Sequence, residues 1–130
     1  MPDPKHLEFI EAVISRLAGN SFQMKSWNVA LATAAIGFAA AKDSHPTAAA
    51  IAAIPSSAFW FLDAYYLGLE RLYRDLYTAA NAGTKTAYDL NAGDLTFGKW
   101  LDELFRVSVA GLHLPMTAVT LIVSLTDFVR

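Results

Sequence analysis

The sequence predicts an all-α membrane protein folded as a single domain, and two observations support that prediction. Three windows of 16 to 20 residues contain no Asp, Glu, Lys or Arg, namely Ser26–Ala41, Ser44–Leu62 and Val107–Thr126. Hydrophobic residues make up 55% of the 130-residue chain and charged residues only 17%, so little polar surface is available to face water. Because a helix needs roughly 17 to 25 apolar residues to cross a bilayer, each window is at or near spanning length.

The N-terminal segment predicts an amphipathic helix over residues 4–18. Asp3 followed by Pro4 is a helix start, with an N-cap acceptor and a proline at the first helical position. Gly19 and Asn20 predict its end, since both residues tolerate the left-handed conformation that ends helices. Its apolar face fits either the membrane surface or another cytoplasmic helix, and the low net charge favours the helix.

Residues 22–41 predict a first transmembrane span that is rich in alanine. Lys25 and Trp27 stand at its start, where a lysine reaches the headgroups and a tryptophan anchors at the interface. Small residues let another helix approach closely, so we expect helix packing at Ala34, Gly37 and Ala41. The short polar break at 42–46 makes the next span an antiparallel neighbour.

Residues 47–69 predict a second span, with Pro55 near its middle. Its far end carries three aromatic residues typical of a membrane interface, Trp60, Tyr65 and Tyr66. The helix is expected to continue into water to about residue 80, because charged pairs four residues apart follow the span. Arg71 and Arg74 in this extension fit contacts with anionic lipid or a cytosolic partner, or simply a solvated helix.

The last part of the chain predicts a second amphipathic helix and a third apolar segment. Thr96 is an N-cap candidate for a helix over 96–106. Residues 107–126 are long enough for a third span, although their β-branched residues also fit a β-rich or re-entrant element.

The distribution of basic residues predicts the orientation. Eight Lys and Arg residues precede the first span or follow the second, against two on the other side, Lys42 and Arg130. By the positive-inside rule, the N-terminus and the segment between the second span and the third apolar segment lie in the cytoplasm. The C-terminus is then outside, provided that the third segment spans.

Asp63 and His113 are polar residues in the apolar segments, and both are candidates for a functional role. A carboxylate in a span is costly when unpaired, so Asp63 needs a partner, and Lys25 or Asn28 on the first span lies at a similar depth. Asp63 fits a proton site, an ion site or a gate, and equally an interfacial acid held by Lys25 or an aromatic neighbour. His113 has no second ligand at helical spacing, which favours a hydrogen-bonded packing role over metal binding.

Several functions are excluded or lack a signature. A net charge of −2 gives no basic surface for nucleic acid, and the absence of cysteine excludes thiolate sites and disulfides. The N-terminus lacks the features of a secretory signal. No serine-nucleophile motif or phosphate-binding loop is present, so we expect no catalytic residue, cofactor or metal, and no enzyme activity.

Residues 59–77, which read FWFLDAYYLGLERLYRDLY, resemble a family of small bacterial membrane proteins of unassigned activity. The segments 7–10 and 21–27 resemble theirs too, and together the likeness covers roughly the first 80 residues. The layout also resembles the small transmembrane effectors of antiphage systems, which self-associate and breach the inner membrane. This resemblance implies a homo-oligomeric, pore-forming or membrane-perturbing role in antiviral defence.

The sequence leaves three other functional hypotheses open. The protein could instead be a membrane-anchored accessory or scaffold subunit for a cytosolic partner. It could be a small transporter that works as an oligomer, with Asp63 as its proton site. A soluble helical bundle is a further alternative, because the alanine-rich first window is only weakly hydrophobic.

Overall fold

The fold, in a computed structural model, consists of four helices over the described residues 1–41 and 46–129. The helices are α1 (Pro4–Ala39), α2 (Pro46–Asn81), α3 (Phe97–Leu104) and α4 (Val107–Val129). No strand occurs in these residues, so the predicted all-α class is confirmed. Of the predicted polar break at 42–46, residues 42–45 lie outside the described residues, and Pro46 begins α2.

The two longest helices, α1 and α2, pack as an antiparallel pair, and α4 packs against both. Their register follows from two side-chain contacts: Ser21 meets Asp63, and Asn28 meets Ser56. Seven residues forward on α1 therefore correspond to seven residues back on α2. This register places the polar residues of both helices at the same levels.

The predicted break at Gly19 and Asn20 is wrong, because α1 continues through both residues. A glycine in a helix interior lowers helix stability by about 1 kcal/mol relative to alanine, and tertiary packing can outweigh a cost of this size. Leu17 and Ser21, on either side of the glycine, are both buried. An unbroken helix keeps both residues on the face towards α2, so tertiary packing overrides the local stop signal.

Helix α2 runs past Pro55 to Asn81, as the predicted extension to about residue 80 requires. Gly83 ends the helix in the left-handed region, with a φ of 73°, and its N–H donates to the carbonyl of Ala80. Further on, Gly93 also has a positive φ, 82°. We call residues 82–96, which lead from α2 to α3, the connector.

The C-terminal part differs in detail from the prediction. Thr96 caps α3 as expected, but α3 ends at Leu104, and α4 begins at Val107. The residues from Val107 onward are helical, so the β-rich alternative is wrong. The indole N–H of Trp60 donates to the carbonyl of Leu104 at 2.9 Å and ties α2 to the end of α3.

The connector also folds back onto the start of α1. His6 is buried, and its Nε2 lies 2.8 Å from the carbonyl oxygen of Asp89. The carboxylate of Asp89 accepts the backbone N–H of Asn91 at 2.9 Å. This hydrogen bond, with a smaller contribution from the charge of Lys85, lowers the pKa of Asp89. The connector is thereby attached to the helical pair.

The molecule has two halves with different surfaces. The charged half comprises residues 4–20, 66–81 and the connector with α3, and its core contains Ile10, Leu76 and Ala80. The apolar-shelled half comprises residues 21–38, 51–65 and 107–129. Their interiors differ as much as their surfaces, and the candidate site lies in the apolar-shelled half.

Among the described residues, one helix is long and apolar enough to cross a membrane, over Val107–Thr126, with a mean hydropathy of 1.7. The transmembrane hairpin expected from α1 and α2 stays a prediction.

Candidate functional site

A buried chain of polar side chains joins the three long helices within the apolar-shelled half. We call it the polar network, and its members are Ser21, Lys25, Asn28, Ser56, Asp63, His113 and Thr117. Helical periodicity brings them together, since neighbouring members on one helix are three, four or seven residues apart and so share one face.

Asp63 is the centre of the network and has no exposed surface. Lys25 Nζ lies 2.6 Å from one carboxylate oxygen and 2.8 Å from the other. Ser21 donates its hydroxyl hydrogen to the same carboxylate, and His113 Nε2 lies 2.8 Å from Oδ2. The carboxylate thus has a positive partner and two neutral donors, which compensates for its removal from water.

A second branch of the network starts at the other ring nitrogen of His113. Its Nδ1 lies 2.6 Å from the side-chain nitrogen of Asn28. The hydroxyl of Ser56 donates to the side-chain oxygen of Asn28 at 2.6 Å, and it lies 3.2 Å from the hydroxyl of Thr117. The branch therefore leads from the imidazole through an amide to two hydroxyls.

The network is closed to solvent except at one end. Asn28, Ser56, Asp63 and His113 are each 0% exposed, whereas the side chain of Lys25 is 22% exposed. Every buried side-chain nitrogen and oxygen in the network has a hydrogen-bond partner. An unpaired polar atom there would cost about 1 to 3 kcal/mol, so this complete pairing is a condition for the fold.

The ring of His113 carries its proton on Nε2 in this arrangement. Nε2 faces the acceptor Oδ2 of Asp63, and Nδ1 faces the donor group of Asn28. The lone pair of Nδ1 therefore accepts the side-chain N–H of Asn28.

Large apolar side chains cover the outside of the same half. More than a third of the surface of each is exposed in Phe22, Val29, Ile36, Phe38, Ile51, Ile54, Phe61, Leu62, Leu114, Val119, Leu121, Ile122 and Leu125. Soluble monomers rarely expose apolar patches of this extent. At this level the molecule is therefore polar inside and apolar outside.

The sequence proposes Lys25 or Asn28 as the partner of Asp63, and the structure assigns them different roles. Lys25 pairs with Asp63 directly, whereas Asn28 contacts His113. His113 is hydrogen-bonded through both of its ring nitrogens. No cluster of three or more His, Cys, Asp or Glu side chains that could hold a metal ion occurs among the residues described.

The residues expected to pack helices do not pack within this chain. Ala34, Gly37 and Ala41 are all exposed, and a Cβ added at Gly37 would meet no atom within 4 Å. Ala32 and Ala35 are instead the small residues of α1 that are buried. The expected packing face is therefore open on the outside of α1.

The expected interfacial aromatic residues are divided between surface and interior. Trp27 is 55% exposed and Tyr65 44% exposed. Trp60 and Tyr66 are half-buried, and the Trp60 indole is bonded within the chain. An indole that already has an internal acceptor serves the fold in addition to any interfacial role.

Arg71 and Arg74 both form ion pairs within the chain. Arg71 Nε lies 2.5 Å from Glu103, which joins α2 to α3. Arg74 lies 2.6 Å from Glu70, the pair expected from their spacing of four residues. Both arginines remain exposed at the surface, so they are held in place but still accessible.

Three members of the network were missed from the sequence, Ser21, Ser56 and Thr117. Ser57, which follows Ser56, donates to the carbonyl of Ala53 in its own helix, whereas Ser56 donates to Asn28 on α1. The missed signal is spacing, because Ser21 and Ser56 each lie seven residues from a polar residue of the network on the same helix.

Comparisons with protein-family models, with curated proteins and with solved structures found no match. The interpretation of the site therefore depends on its own geometry.

Proposed function

We propose that this chain is a non-enzymatic, membrane-embedded helical protein that takes up a proton in its polar network, and that this proton gates a pore or membrane lesion formed by several copies. One observation carries the proposal. Ionisable groups are fully buried at a level where the outer surface is apolar, which is the arrangement expected in lipid and not in water.

The surface of α4 supports embedding in a membrane. Only 22% of its apolar window is buried, whereas the core helix of a soluble protein is mostly buried. In water, the exposed apolar side chains of α1, α2 and α4 would drive aggregation. In lipid, the same side chains face a solvent as apolar as themselves.

The dimensions of the apolar-shelled half also support the proposal. Residues 21–38 of α1 rise about 27 Å at 1.5 Å per residue, and the 23 residues of α4 rise about 35 Å. The hydrocarbon core of a bilayer is about 30 Å thick. The apolar shell is therefore of the height that a membrane requires.

The composition of the network supports a role for a proton. A structural ion pair needs only Lys25 and Asp63, whose charges cancel. His113 adds a third ionisable group, whose Nδ1 faces the side-chain nitrogen of Asn28, and a second proton on its ring would give the interior a net positive charge. A buried charge costs several kcal/mol in a low-dielectric environment, so proton uptake can change the packing of the three helices.

The open face of α1 supports self-association. Ala34 and Gly37 on α1, and Ala41 two residues past its end, present small residues outward, where a helix of a second copy can approach closely. Three helices are too few to enclose an aqueous pore, so assembly is part of the proposal. The resemblance to antiphage effectors makes defence against phage, in a bacterial inner membrane, the biological setting that we propose.

The direct test is dye release from liposomes that contain the purified protein. We expect release to change between neutral and mildly acidic pH for the wild type, and this pH dependence to disappear in Asp63→Asn and His113→Gln. Ser57→Ala is the matched control, because Ser57 lies beside Ser56 but bonds only its own helix. No release at any pH would exclude the pore, and unchanged pH dependence in both variants would exclude the gate.

Two substitutions on α1 test assembly separately. Ala34→Leu and Gly37→Leu fill the open face without touching the network, so we expect them to abolish release and to reduce the mass of the detergent-solubilised particle. Particles of wild-type mass in both variants would show that copies associate elsewhere or not at all.

A membrane-anchored accessory subunit is the second candidate. It is favoured by the surface of the charged half, where Phe97 is 71% exposed and the side chain of Arg74 is 62% exposed. It predicts that a partner protein co-purifies in mild detergent and that Arg74→Glu with Phe97→Ser removes it. Purification of the chain alone under these conditions would exclude this role.

A further inference from the structure

We propose that Asn28 is a positioning residue that transmits the protonation of His113 to the contact between α2 and α4, by turning its side-chain amide through half a rotation. This role rests on the proposed function, because it requires that His113 gains and loses a proton. It adds the mechanism by which protonation of the His113 ring would change the hydrogen bond between Ser56 on α2 and Thr117 on α4.

In the arrangement observed, the hydrogen bonds run in one direction. Asn28 donates from its nitrogen to Nδ1 of His113, at 2.6 Å, and its oxygen accepts the hydroxyl of Ser56, also at 2.6 Å. Because the hydroxyl hydrogen of Ser56 is used there, the 3.2 Å contact with Thr117 requires Thr117 to donate.

A second proton on His113 makes this arrangement untenable. The new N–H at Nδ1 would face the N–H of Asn28, so two donors would meet at 2.6 Å between side chains that are both 0% exposed. A half rotation of the amide places its oxygen on Nδ1 and its nitrogen on Ser56. Ser56 then accepts, and its own hydroxyl hydrogen turns to Thr117.

Every atom of the branch keeps a partner in this second arrangement. The hydrogen of Thr117 is released from Ser56 and can turn to the carbonyl four residues earlier in its own helix. Thr120 and Ser124, in the same helix, already donate to carbonyls four residues earlier. The branch is thus fully bonded in two states that differ in direction, which is what a two-state element requires.

Within the described residues, no charged group other than those on the Nε2 side faces His113, so none competes with Asn28 to accept from the new N–H at Nδ1. The charged groups that face His113 are Asp63 from α2 and, beyond it, Lys25 from α1. Both lie on the Nε2 side of the ring, and Nε2 is already bonded to Asp63. Asn28 is therefore the partner that must respond at Nδ1.

Nitrogen-15 NMR of the whole protein in nanodiscs tests the coupling directly. As the pH falls, we expect the Nδ1 signal of His113 and the side-chain amide signals of Asn28 to change over one common pH interval. His6 and Asn91 are internal controls outside the network, since His6 on α1 contacts the carbonyl of Asp89 and the side chain of Asn91 accepts the N–H of Gly93. A second proton on His113 with an unchanged Asn28 amide would overturn the proposal.

Asn28→Asp tests the same step without a titration. A carboxylate can only accept, so at Nδ1 it imitates the oxygen of the rotated amide, whereas Ser56 still has to donate to it as in the observed arrangement. We expect the ring of His113 in this variant to carry protons on both nitrogens at a pH where the wild-type ring carries one. An unprotonated Nδ1 of His113 in the Asn28→Asp variant would contradict the role proposed for Asn28.

The two proposals can fail separately. Dye release without pH dependence, together with coupled NMR signals, would remove the gate and leave the Asn28 rotation in place. Release that depends on pH in both wild type and Asn28→Asp with the same profile would remove Asn28 from an otherwise working gate.

Discussion

The charged half and the apolar-shelled half both contain parts of α1 and α2, but they differ in the kind of side chain that is buried. In the charged half, Ile10 and Leu76 are buried and most charged residues face outward, with Glu70 and Glu103 as buried exceptions. In the apolar-shelled half, Asn28 and Asp63 are buried, and residues such as Ile54 face outward. Because α1 and α2 run through both halves, the exchange of interior and exterior requires no change of fold, and under the function that we propose it reflects a change of solvent.

The difference shows which forces hold each half together. Burial of apolar surface stabilises the charged half, as in a soluble protein. That force is absent between helices in lipid, where close packing of small residues and buried hydrogen bonds take its place. Ala32 and Ala64, both almost fully buried, and the polar network supply these contacts in the apolar-shelled half.

The largest expected effect comes from removing the centre of the polar network. Asp63→Ala leaves Lys25 and His113 with buried donors that have lost their acceptor, and breaking a buried pair in this way costs about 3 to 5 kcal/mol. Chemical unfolding in detergent measures the loss. Asp75→Ala is the control, since Asp75 is exposed on the charged half and its loss should cost less than about 0.5 kcal/mol. Equal effects would mean that the network does not hold the helices together.

Two isoleucines compare the halves directly. Ile10→Ala opens a cavity in the core of the charged half and should cost about 2 to 5 kcal/mol. Ile54, which is 73% exposed, leaves no cavity when truncated, and Ile54→Ala should cost less than about 0.5 kcal/mol. The same unfolding assay reads both. A large effect at Ile54 would show that the apolar shell is packed against another copy.

Two glycines in long helices give a smaller, opposite pair of effects. A Cβ added at Gly19 meets nothing within 4 Å, so Gly19→Ala should stabilise the protein by up to about 1 kcal/mol. A Cβ added at Gly68 would lie 2.7 Å from a methyl group of Leu95, so this gain should be lost there. Stabilisation of equal size at both sites would mean that the connector does not pack on α2.

The smallest expected effect concerns the attachment of the connector to α1. The folded-state pKa of Asp89 is lowered by the Asn91 N–H, so the stabilisation is present above the unfolded pKa of about 3.9 and is lost as the pH falls through the folded value. NMR signals of the connector should shift in that acid range, and Asp89→Asn should remove the shift. A connector that responds equally in the variant would assign the transition to another acid.

The sequence predicts the helices better than their contacts. Length and charge locate α2 and α4 well, because apolar windows and helix caps are local signals. The continuity of α1 through Gly19 could not be predicted, since it depends on burial of Leu17 and Ser21 against a helix far along the chain.

The same limit applies to the candidate site. Asp63 stands out in the sequence as a lone carboxylate in an apolar run, and its ion pair with Lys25 connects two helices of similar depth. The role of His113 depends on where α4 packs, which no local pattern reveals. Ser56 and Thr117 become recognisable only when polar residues are counted at helical spacing across all three helices.

The central claim is that lipid surrounds the apolar-shelled half and water surrounds the charged half. Membrane partitioning of the wild-type chain, compared with that of Ile122→Arg, tests this claim most directly. Ile122 is 59% exposed on α4, and an arginine near the bilayer centre costs about 2.5 to 3.5 kcal/mol, whereas Ala12→Arg on the exposed face of the charged half should be neutral. The wild type and Ala12→Arg should stay in the membrane pellet after carbonate extraction, and Ile122→Arg should be partly released. A wild-type chain found in the detergent-free supernatant would contradict the account.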